Sequence, residues 1–250
     1  MKKRILYFVL LTLTIFNPTY SQWKLLNGPG NYEFIRNVEV EGNKIVINIA
    51  DNIYLTTNKG ESWIHLNDNT DFLFNLRTSS INSNIALKDG KVFCINTNKK
   101  NSGIYSTEDY GINWQFTSKG LPYNTLPQYF KFCTTPDDLY IFSSSNLWKF
   151  NQNEKRWQIP YDTTGIKKFT IHSVLKDSNK IYFGTGYIPE GLPNKGCKTP
   201  NFFKIDLSTN KLTSYLDSSS DICRYYILSL SKKDDILMAG TTGGFYISTN

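Results

Sequence analysis

The amino-acid sequence predicts an all-β fold, a β-propeller of four-stranded antiparallel blades, with about five blades visible and the last one incomplete. Three observations predict it. A short apolar strand recurs at residues 45, 92, 139, 181 and 236, at spacings of 47, 47, 42 and 55 residues. Each copy follows a polar turn such as Lys88-Asp-Gly-Lys91, and Asp-Gly is a strong hairpin signal because it tolerates positive φ. Aromatic residues make up 15% of the chain and favour strands over helices.

The repeating unit contains four strands. One strand-like run precedes each polar turn and the apolar strand follows it. A third strand with an aromatic residue comes next, at residues 52–55, 103–106, 146–149, 201–204 and 244–247, and an outer strand completes the unit. Four strands in 40 to 55 residues are typical of a propeller blade. The segments 184–186 and 240–244 are Gly-rich but lack the Lys and helix of a phosphate-binding loop, so we interpret them as strand ends and turns.

Two of the units extend the third strand into a common motif, Ser/Thr-x-Asp-x-Gly-x-x-Trp. The matching residues are Thr107, Asp109, Gly111 and Trp114 in the second unit, and Thr57, Asn58, Gly60 and Trp63 in the first. The first copy has Asn in the place of Asp. This motif resembles the Asp box, also called the BNR repeat. Residues 246–250 begin the same motif, and the third and fourth units keep only parts of its turn.

Each position of the motif has a physical role in a turn. An Asp or Asn side chain bonds backbone amides two residues on, Gly supplies a conformation that a Cβ disfavours, and Trp covers the hairpin. We therefore expect these residues to stabilise the outer rim of a blade. The Asp-box propellers that the chain resembles include sialidases, β-glucan-cleaving glycosidases, sortilin-type receptors and photosystem assembly factors. The resemblance implies a structural role too, since the Asp boxes of these families lie away from the active site.

The first 21 residues predict a secretory signal peptide. Lys2, Lys3 and Arg4 form a positive n-region, and an apolar run of 12 residues, 5–16, follows. The run is shorter than the ~20 residues that span a bilayer, which favours a signal peptide over a membrane anchor. The rest of the sequence has no other long apolar run, so we expect no transmembrane segment after cleavage. The predicted domains are a signal peptide at 1–21 and a β-propeller at 22–250. We expect a secreted, periplasmic or cell-surface protein.

Both ends of the predicted propeller carry strand-like pieces. The segment Gln22–Leu26, with Trp23, can supply a strand to a terminal blade. The last motif copy stops at Asn250 before its Gly and Trp. Because a propeller closes its last blade against its first, this pattern predicts that the propeller is truncated at the C-terminus and that the chain is a fragment of a longer protein.

Four cysteines follow the predicted cleavage site. Cys197 and Cys223 lie in polar, turn-rich stretches, and since an exported chain permits disulfides we hypothesise a disulfide between them. Cys94 and Cys133 lie in strand-like runs and equally suit buried free thiols. The segment 187–200 interrupts the repeat with three prolines and Cys197. Two interpretations of it stay open, a recognition loop and a tolerated surface insertion.

Candidate catalytic residues are few. A sialidase-like site requires three arginines, and Arg36, within Phe-Ile-Arg-Asn, keeps only part of the motif that carries the first. A glycosidase requires two carboxylates about 5 to 9.5 Å apart, but the candidate aspartates lie in predicted turns. They are Asp137, Asp138, Asp234 and Asp235. His65 and His172 are isolated, and His172 lies on a predicted inner strand beside the channel. We assign no catalytic, cofactor-binding or metal-binding residue.

These observations favour an exported non-catalytic binding or scaffold protein over an enzyme, with a protein or carbohydrate ligand held by loops and exposed aromatics. The formal charge is +7, of which three charges lie in the signal peptide, and the rest are spread thinly. We therefore expect no nucleic-acid partner, and no cofactor. The alternative is a carbohydrate-active hydrolase, sialidase-like or another Asp-box glycosidase, whose site is completed by missing blades. An assembly factor is a third hypothesis that the resemblance allows.

Overall fold

A computed structural model of the chain describes residues 28–29, 34–68, 85–97, 100–122, 130–135, 137–143, 146–160, 170–186, 201–209, 211–215 and 221–249. These residues form five antiparallel sheets arranged as a five-bladed β-propeller. The all-β prediction is therefore confirmed. A short 3-10 helix, Asp221–Arg224, precedes the fifth sheet.

Each sheet is one blade, and consecutive strands are neighbours within it. Blade 1 contains β1 (Ile35–Glu41), β2 (Lys44–Ile49), β3 (Asn52–Thr56) and β4 (Ile64–His65). Blade 2 contains β5 (Ile85–Lys88), β6 (Lys91–Asn96), β7 (Gly103–Thr107) and β8 (Gln115–Phe116). Blade 3 contains β9 (Lys131–Thr134), β10 (Leu139–Phe142), β11 (Leu147–Asn151) and β12 (Arg156–Gln158). Blade 4 contains β13 (Thr170–Asp177), β14 (Lys180–Gly186), β15 (Phe202–Asp206) and β16 (Lys211–Tyr215). Blade 5 contains β17 (Ile227–Lys233), β18 (Ile236–Thr241) and β19 (Gly244–Ser248).

The polar turns predicted from the sequence close the first hairpin of each blade. Asp89 and Gly90 between β5 and β6 both have positive φ, at 52° and 74°. Ser178 and Asp234 occupy positive φ in the corresponding turns of blades 4 and 5. Asp and Ser tolerate the left-handed region because short polar side chains bond their own backbone there, and Gly tolerates it because it has no β-carbon.

The core lies between the blades. One cluster joins blades 1 and 2 around Val46, Ile53 and Cys94, and a second joins blades 2 and 3 around Phe93, Phe132 and Trp157. A third joins blades 3 and 4 through buried side chains of both. In the second cluster, the rings of Phe150 and Trp157 lie 5.0 Å apart, a spacing at which aromatic pairs attract. Blades 1 to 4 thus bury apolar side chains against one another.

Polar contacts connect neighbouring blades at the end of the axis where the first hairpins lie. The Glu41 carboxylate in blade 1 accepts hydrogen bonds from the amides of Asp89 and Gly90 in blade 2, at 2.8 and 2.7 Å. Lys176 Nζ in blade 4 bonds Asp137 in blade 3 at 2.9 Å, and Lys232 Nζ in blade 5 bonds Asp177 in blade 4. We call this end of the axis the hairpin end. The opposite end, where each inner strand begins, we call the mouth.

Candidate functional site

The turn between β7 and β8 is closed by four hydrogen bonds. The Thr107 hydroxyl donates to Asp109 Oδ1 at 2.9 Å and accepts from the Gly111 amide at 3.0 Å. Asp109 in turn accepts from the backbone amide and the side chain of Asn113, at 2.9 and 2.7 Å. These bonds, the Asn113 amide first, lower the pKa of Asp109, so its carboxylate is ionised and occupied. Its role is to shape the turn.

The corresponding turn in blade 1 has the same bonds with one change from the sequence prediction. The hydroxyl belongs to Thr56, which donates to Asn58 Oδ1 at 2.7 Å and accepts from the Gly60 amide at 2.9 Å. Asn58 Oδ1 accepts from the Ser62 amide at 3.0 Å. Thr57, the residue assigned from the sequence, is exposed, because strand alternation points its side chain to the opposite face. The assignment of Thr57 was therefore wrong by one position.

The tryptophans at the outer strands of blades 2 and 3 contact the preceding blade. Trp114 of blade 2 donates its indole N–H to the carbonyl of Leu66 in blade 1 at 3.3 Å. Trp157 of blade 3 donates to the carbonyl of Thr117 in blade 2 at 2.7 Å. Gly111 has φ +84°, and a β-carbon there would lie 2.0 Å from the Leu66 carbonyl oxygen. The turns are therefore parts of the blade-to-blade packing, at the hairpin end.

Other candidates from the sequence also have structural partners. Asp138 accepts from Lys149 and from the Tyr140 hydroxyl, at 2.7 and 3.0 Å. Burial acts to raise the pKa of Asp138, but these hydrogen bonds outweigh it and lower the pKa. His65 stacks on Tyr54 with ring centroids 4.6 Å apart. The remaining candidate aspartates lie in hairpin turns, Asp137 as the partner of Lys176, and Asp234 and Asp235 between β17 and β18.

A polar cleft with a volume of about 360 Å³ opens on blade 3. It is lined by Asp138, Lys149, Phe150, Asn151, Gln152, Gln158 and Pro160. Its polar side chains bond one another or their neighbours: Lys149 pairs with Asp138, and Gln158 donates to Glu154 at 2.8 Å. A ligand there would have to break these bonds, so the cleft is a weaker candidate than the mouth.

At the mouth, three inner strands carry a β-bulge in the same place. The pairing register shifts between Ile35 and Asn37, between Ile171 and Ser173, and between Ile227 and Ser229. The extra residues are Arg36, His172 and Leu228, each five residues before the last residue of its strand. Bulges re-aim a side chain out of the regular alternation, and they occur often beside functional sites. Arg36 and Leu228 are exposed.

His172 is held against an aromatic ring of the next blade. Its ring meets Tyr226 edge to face, with centroids 5.2 Å apart. Gly186, at the end of β14, makes the room, since a β-carbon there would lie 1.6 Å from Tyr226 Cδ1 and 2.8 Å from His172 Nε2. His172 Nε2 is buried and finds no hydrogen-bond partner among the described residues. Burial, and next the charge of Lys131, lower the pKa of His172, so its imidazole is neutral at neutral pH.

The segment that carries Tyr225 and Tyr226 is fixed at several points. The Asn201 side chain donates to the carbonyl of Tyr225 at 3.0 Å and to that of Ile222. The Tyr226 amide donates to the Thr242 hydroxyl at 3.2 Å. Cys223 is disulfide-bonded, and Cys94 and Cys133 are free thiols. Cys197, its hypothesised partner, lies outside the described residues, so that pairing stays a prediction. The whole insertion 187–200 lies outside them too.

We define the mouth site as His172, Tyr225, Tyr226 and Leu228. It joins blade 4 to blade 5 where β13 and β17 begin. Its side chains are partly or largely exposed while their backbone is fixed, an arrangement that lowers the conformational cost of binding. The site offers two phenol rings and one apolar side chain, and the neutral ring nitrogen of His172 is buried beside them. Such a surface suits non-covalent binding by stacking and a directed hydrogen bond.

Charged groups lie deeper on the inner strands. Glu39 of blade 1 accepts a hydrogen bond at 2.9 Å from the hydroxyl of Thr134 in blade 3. Burial raises the pKa of Glu39 and lowers that of Lys131, while hydrogen bonds from Thr134 and Asn37 act against the rise at Glu39. The Glu39 carboxyl thus connects two blades across a third.

The described residues place no cluster of three or more His, Cys, Asp or Glu side chains where a metal ion could be held.

Sequence reasoning had placed His172 beside the channel but had missed Gly186, Tyr225 and Tyr226. A Tyr pair ahead of a strand was the available signal, and without the fold nothing connected it to His172. Within the described residues, no helix has both the length and the apolar composition that crossing a membrane requires.

Comparison with known proteins shows the fold. No family model matches the sequence, and no curated protein matches it. Solved structures do. The extracellular domain of the putative one component system BT4673 from B. thetaiotaomicron matches with a TM-score of 0.60 and 18% identity, over 92% of this chain and 28% of that one. The GH74 enzyme of Niastella koreensis matches with a TM-score of 0.59 and 13% identity, over 82% of this chain and 33% of that one.

A third structure is YCF48 bound to D1 peptide, with a TM-score of 0.58 and 16% identity, over 92% of this chain and 67% of that one. The chain thus spans about a third or less of the BT4673 domain and the GH74 enzyme, and two thirds of YCF48. The three neighbours are the extracellular domain of a putative one component system, an enzyme and a peptide-bound protein, so the likeness shows the architecture and not one function. The chain has the fold of a β-propeller.

Proposed function

We propose that the chain is an exported, non-catalytic binding or scaffold protein that holds a polypeptide ligand at the mouth site. The carrying observation is the buried ring nitrogen of His172, which has no partner among the described residues and is held beside Tyr226. A buried polar group without a partner costs free energy, and a ligand that displaces the Tyr226 ring and bonds the nitrogen recovers that cost. Amide groups of an extended peptide supply both donors and acceptors for such a bond.

The mouth also suits a polypeptide through its rings. Tyr side chains give large contact areas at low entropic cost, which is why they are enriched in protein-binding surfaces. The solved neighbour YCF48, which is bound to D1 peptide, supports a peptide ligand for this fold. We take polypeptide as the ligand class and carbohydrate as the class to be excluded by experiment.

The carboxylates of the described inner strands support a non-catalytic role. Glu39 is bonded by Thr134, Glu41 by two amides of blade 2, and Asp177 by Lys232. A glycosidase requires a pair of carboxyl groups free to act on substrate as acid and as base or nucleophile. Here each of the three stabilises contact between blades. The hydrolase alternative rests on the fold shared with GH74 enzymes.

We further propose that the two turns at the hairpin end are Asp boxes. The shared set of bonds supports this: the Thr hydroxyl donates to the Asp or Asn side-chain oxygen, the Gly amide donates to the Thr hydroxyl, and the backbone amide four residues after the Asp or Asn donates to its side-chain oxygen. We also propose that residues 1–21 are a signal peptide. The disulfide at Cys223 is consistent with export, because disulfides persist in oxidising compartments. N-terminal sequencing of the secreted protein should give Gln22 as its first residue.

The function is tested by selection from a random peptide display library on the immobilised full chain. Peptides selected by the wild type should lose at least about tenfold in affinity for His172→Ala and for Tyr226→Ala, the size of one lost hydrogen bond or ring contact. His65→Ala is the matched control. It removes the chain's other histidine, which lies on the outer strand of blade 1, and it should bind as the wild type does. Selected peptides that bind all variants equally would contradict the mouth site.

The same protein is assayed on chromogenic sialosides and β-glucans. We expect no turnover. Turnover that Glu39→Gln abolishes, with folding retained, would replace the binding proposal by the hydrolase alternative.

A further inference from the structure

Lys131, the first residue of β9, is a partly buried cation near the mouth. Burial lowers the pKa of Lys131, and among the described residues no carboxylate pairs with it to oppose that effect. Three other lysines of the inner strands each pair with an aspartate. They are Lys88, Lys176 and Lys232. Because a cation taken out of water without a counter-ion costs free energy, an anion bound at Lys131 would recover that cost.

The strand register directs the Lys131 side chain toward blade 4. Asn37 of blade 1 and Ser173 of blade 4 hold the same place in the first hairpins of their blades. Asn37 donates to the carbonyl of Ile85 in blade 2 at 2.9 Å, and Ser173 donates to that of Ile227 in blade 5 at 3.0 Å. Side chains at this place thus point to the inner strand of the next blade. For Lys131 that strand is β13.

His172 lies in the bulge of β13, where the Lys131 side chain points. The charge of Lys131 is the second cause, after burial, of the lowered pKa of His172, and such an effect requires the two groups to be near each other. The ammonium of Lys131 has no partner among the described residues, and neither has Nε2 of His172. Two unpaired basic groups thus adjoin at the mouth, beside the ring of Tyr226.

Charge on the inner strands is separated along the axis. The carboxylates of the described inner strands lie in the halves toward the hairpin end, at Glu39, Glu41 and Asp177. In the halves toward the mouth, the described residues include the cations of Arg36 and Lys131 but no Asp or Glu. The field of the inner strands therefore favours a negatively charged group at the mouth.

We propose that the polypeptide ligand of the mouth site presents a carboxylate, which the Lys131 ammonium binds beside His172. The inference rests on the proposed function and adds to it the chemical group that the site selects. A carboxylate carries one negative charge, the complement of one ammonium, and it accepts charge-assisted hydrogen bonds, which are about twice as strong as neutral ones. Two sources supply such a group, the C-terminus of a chain and an Asp or Glu side chain.

The test follows the His172 ring by NMR in the full chain, with acetate as the carboxylate probe and acetamide as its neutral control. The chain has 2 histidines, so the His65→Ala variant assigns both ring signals. At constant ionic strength, acetate should raise the pKa of His172 by about 0.5 to 1, because a nearby negative charge favours the imidazolium. Acetamide should leave the pKa of His172 unchanged. The ring signal of His65 should follow the same titration curve with either probe.

Lys131→Met removes the ammonium and keeps a side chain of similar length. Without probe it should raise the pKa of His172, because a like charge is gone, and it should abolish the response to acetate. Lys211→Met, at the exposed start of β16, is the matched control and should change neither. If Lys131→Met fails to fold, Lys131→Gln takes its place. No acetate response in the wild type, or an equal response without the ammonium, would overturn the proposal.

Peptides selected on the wild type identify the source of the carboxylate. Each is prepared as the free acid, as the C-terminal amide, and with its Asp and Glu replaced by Asn and Gln. One of the two changes should cost at least about tenfold in affinity for the wild type and little for Lys131→Met. Peptides that require Tyr226 but bind equally in all forms would overturn this inference and leave the proposed function standing. If no peptide is selected, the proposed function fails, and the acetate titration decides whether a carboxylate site exists.

Discussion

The ring of Tyr226 lies across Gly186 so closely that a β-carbon at residue 186 would sit 1.6 Å from its Cδ1 atom. This contact places Tyr226 beside His172 and so shapes the mouth site. Since Gly186 is the last residue of β14, the proposed binding surface is positioned by a strand end and not by a loop alone. Gly186 is thus the residue on which the geometry of the site depends most directly.

Gly186→Ala should displace Tyr226, because backbone atoms on both sides hold the glycine in the sheet and the ring must move. We expect a loss of stability of about 1 to 3 kcal/mol from overpacking and a loss of peptide binding at the mouth. Urea unfolding and affinity for a selected peptide measure the two effects. Gly28→Ala, where a β-carbon has nothing within 4 Å, is the control and should change neither. Unchanged binding in Gly186→Ala would show that the Tyr226 position is not required.

Gly111→Ala should destabilise the fold strongly. The new β-carbon would meet the Leu66 carbonyl at 2.0 Å, and a non-glycine residue at φ +84° is strained as well. We expect a loss of about 3 to 5 kcal/mol by urea unfolding. Gly90→Ala separates the two causes, since Gly90 has φ +74° but meets only the flexible end of Lys44, at 3.0 Å. It should cost only about 1 to 2 kcal/mol, the cost of the left-handed conformation. Equal losses would mean that the carbonyl contact is unimportant.

Thr56→Val should cost about 1 to 3 kcal/mol, because it leaves the buried amide of Gly60 without its acceptor. Thr57→Val is a matched control one residue away. Its side chain is exposed, so the same substitution should stay within about 0.5 kcal/mol of the wild type. Thermal or urea unfolding of the pair measures the difference. If Thr57→Val cost more stability than Thr56→Val, Thr57 would be the motif residue, as the sequence analysis assigned it.

Glu39→Gln should be more stable relative to the wild type at pH 7 than at pH 4. Burial raises the pKa of Glu39 in the folded state. Between its unfolded and folded pKa values the native state binds more protons, so the stability of the wild type falls as pH rises through that window. Gln removes the titration and keeps an oxygen for Thr134. Urea unfolding from pH 4 to 8 checks this, with the exposed turn residue Glu61→Gln as control. A pH-independent difference would show that the Glu39 pKa is not raised.

The free thiols should be unreactive in the native protein. Burial raises the pKa of Cys133 to about 12 and that of Cys94 well above its usual range, and only the thiolate reacts. We expect no labelling by DTNB at pH 8 in the folded state. In guanidinium without reductant two thiols should react, and four after reduction, if Cys197 pairs with Cys223. Four reactive thiols without reductant would contradict that disulfide.

The fold could be predicted from the repeat in the sequence. Strands that are buried on both faces are apolar along their length, so their recurrence along the chain can be recognised directly. The predicted strands at Ile45, Val92 and Leu139 all lie in the second strands of their blades. The mouth site was harder to predict. A β-bulge at His172 adds one residue without any composition signal, and Tyr226 meets Gly186 across a gap of 40 positions. Such contacts depend on how the blades pack, and neither a Tyr nor a Gly in the sequence predicts them.

Thr57 illustrates a third kind of difficulty. Two adjacent threonines both fit the chemistry of the motif, and only the two-residue alternation of β3 decides which hydroxyl faces the turn. The spacing to Asn58 and Gly60 favours Thr56 once the second copy, with Thr107 two residues before Asp109, is aligned to it. The physical information was present, but it lay in the comparison of the two copies.

The two ends of the axis are stabilised separately. The turns with their Thr, Asp and Gly bonds lie at one end, and His172, Tyr225, Tyr226 and Leu228 lie at the other, with buried strands between them. Mutational tolerance should therefore be graded along the axis: libraries randomised at the mouth can be large, whereas those at the hairpin end will be dominated by unfolded variants. The same scaffold can then be redirected to new ligands by changing a few residues at one end while every turn at the other is kept.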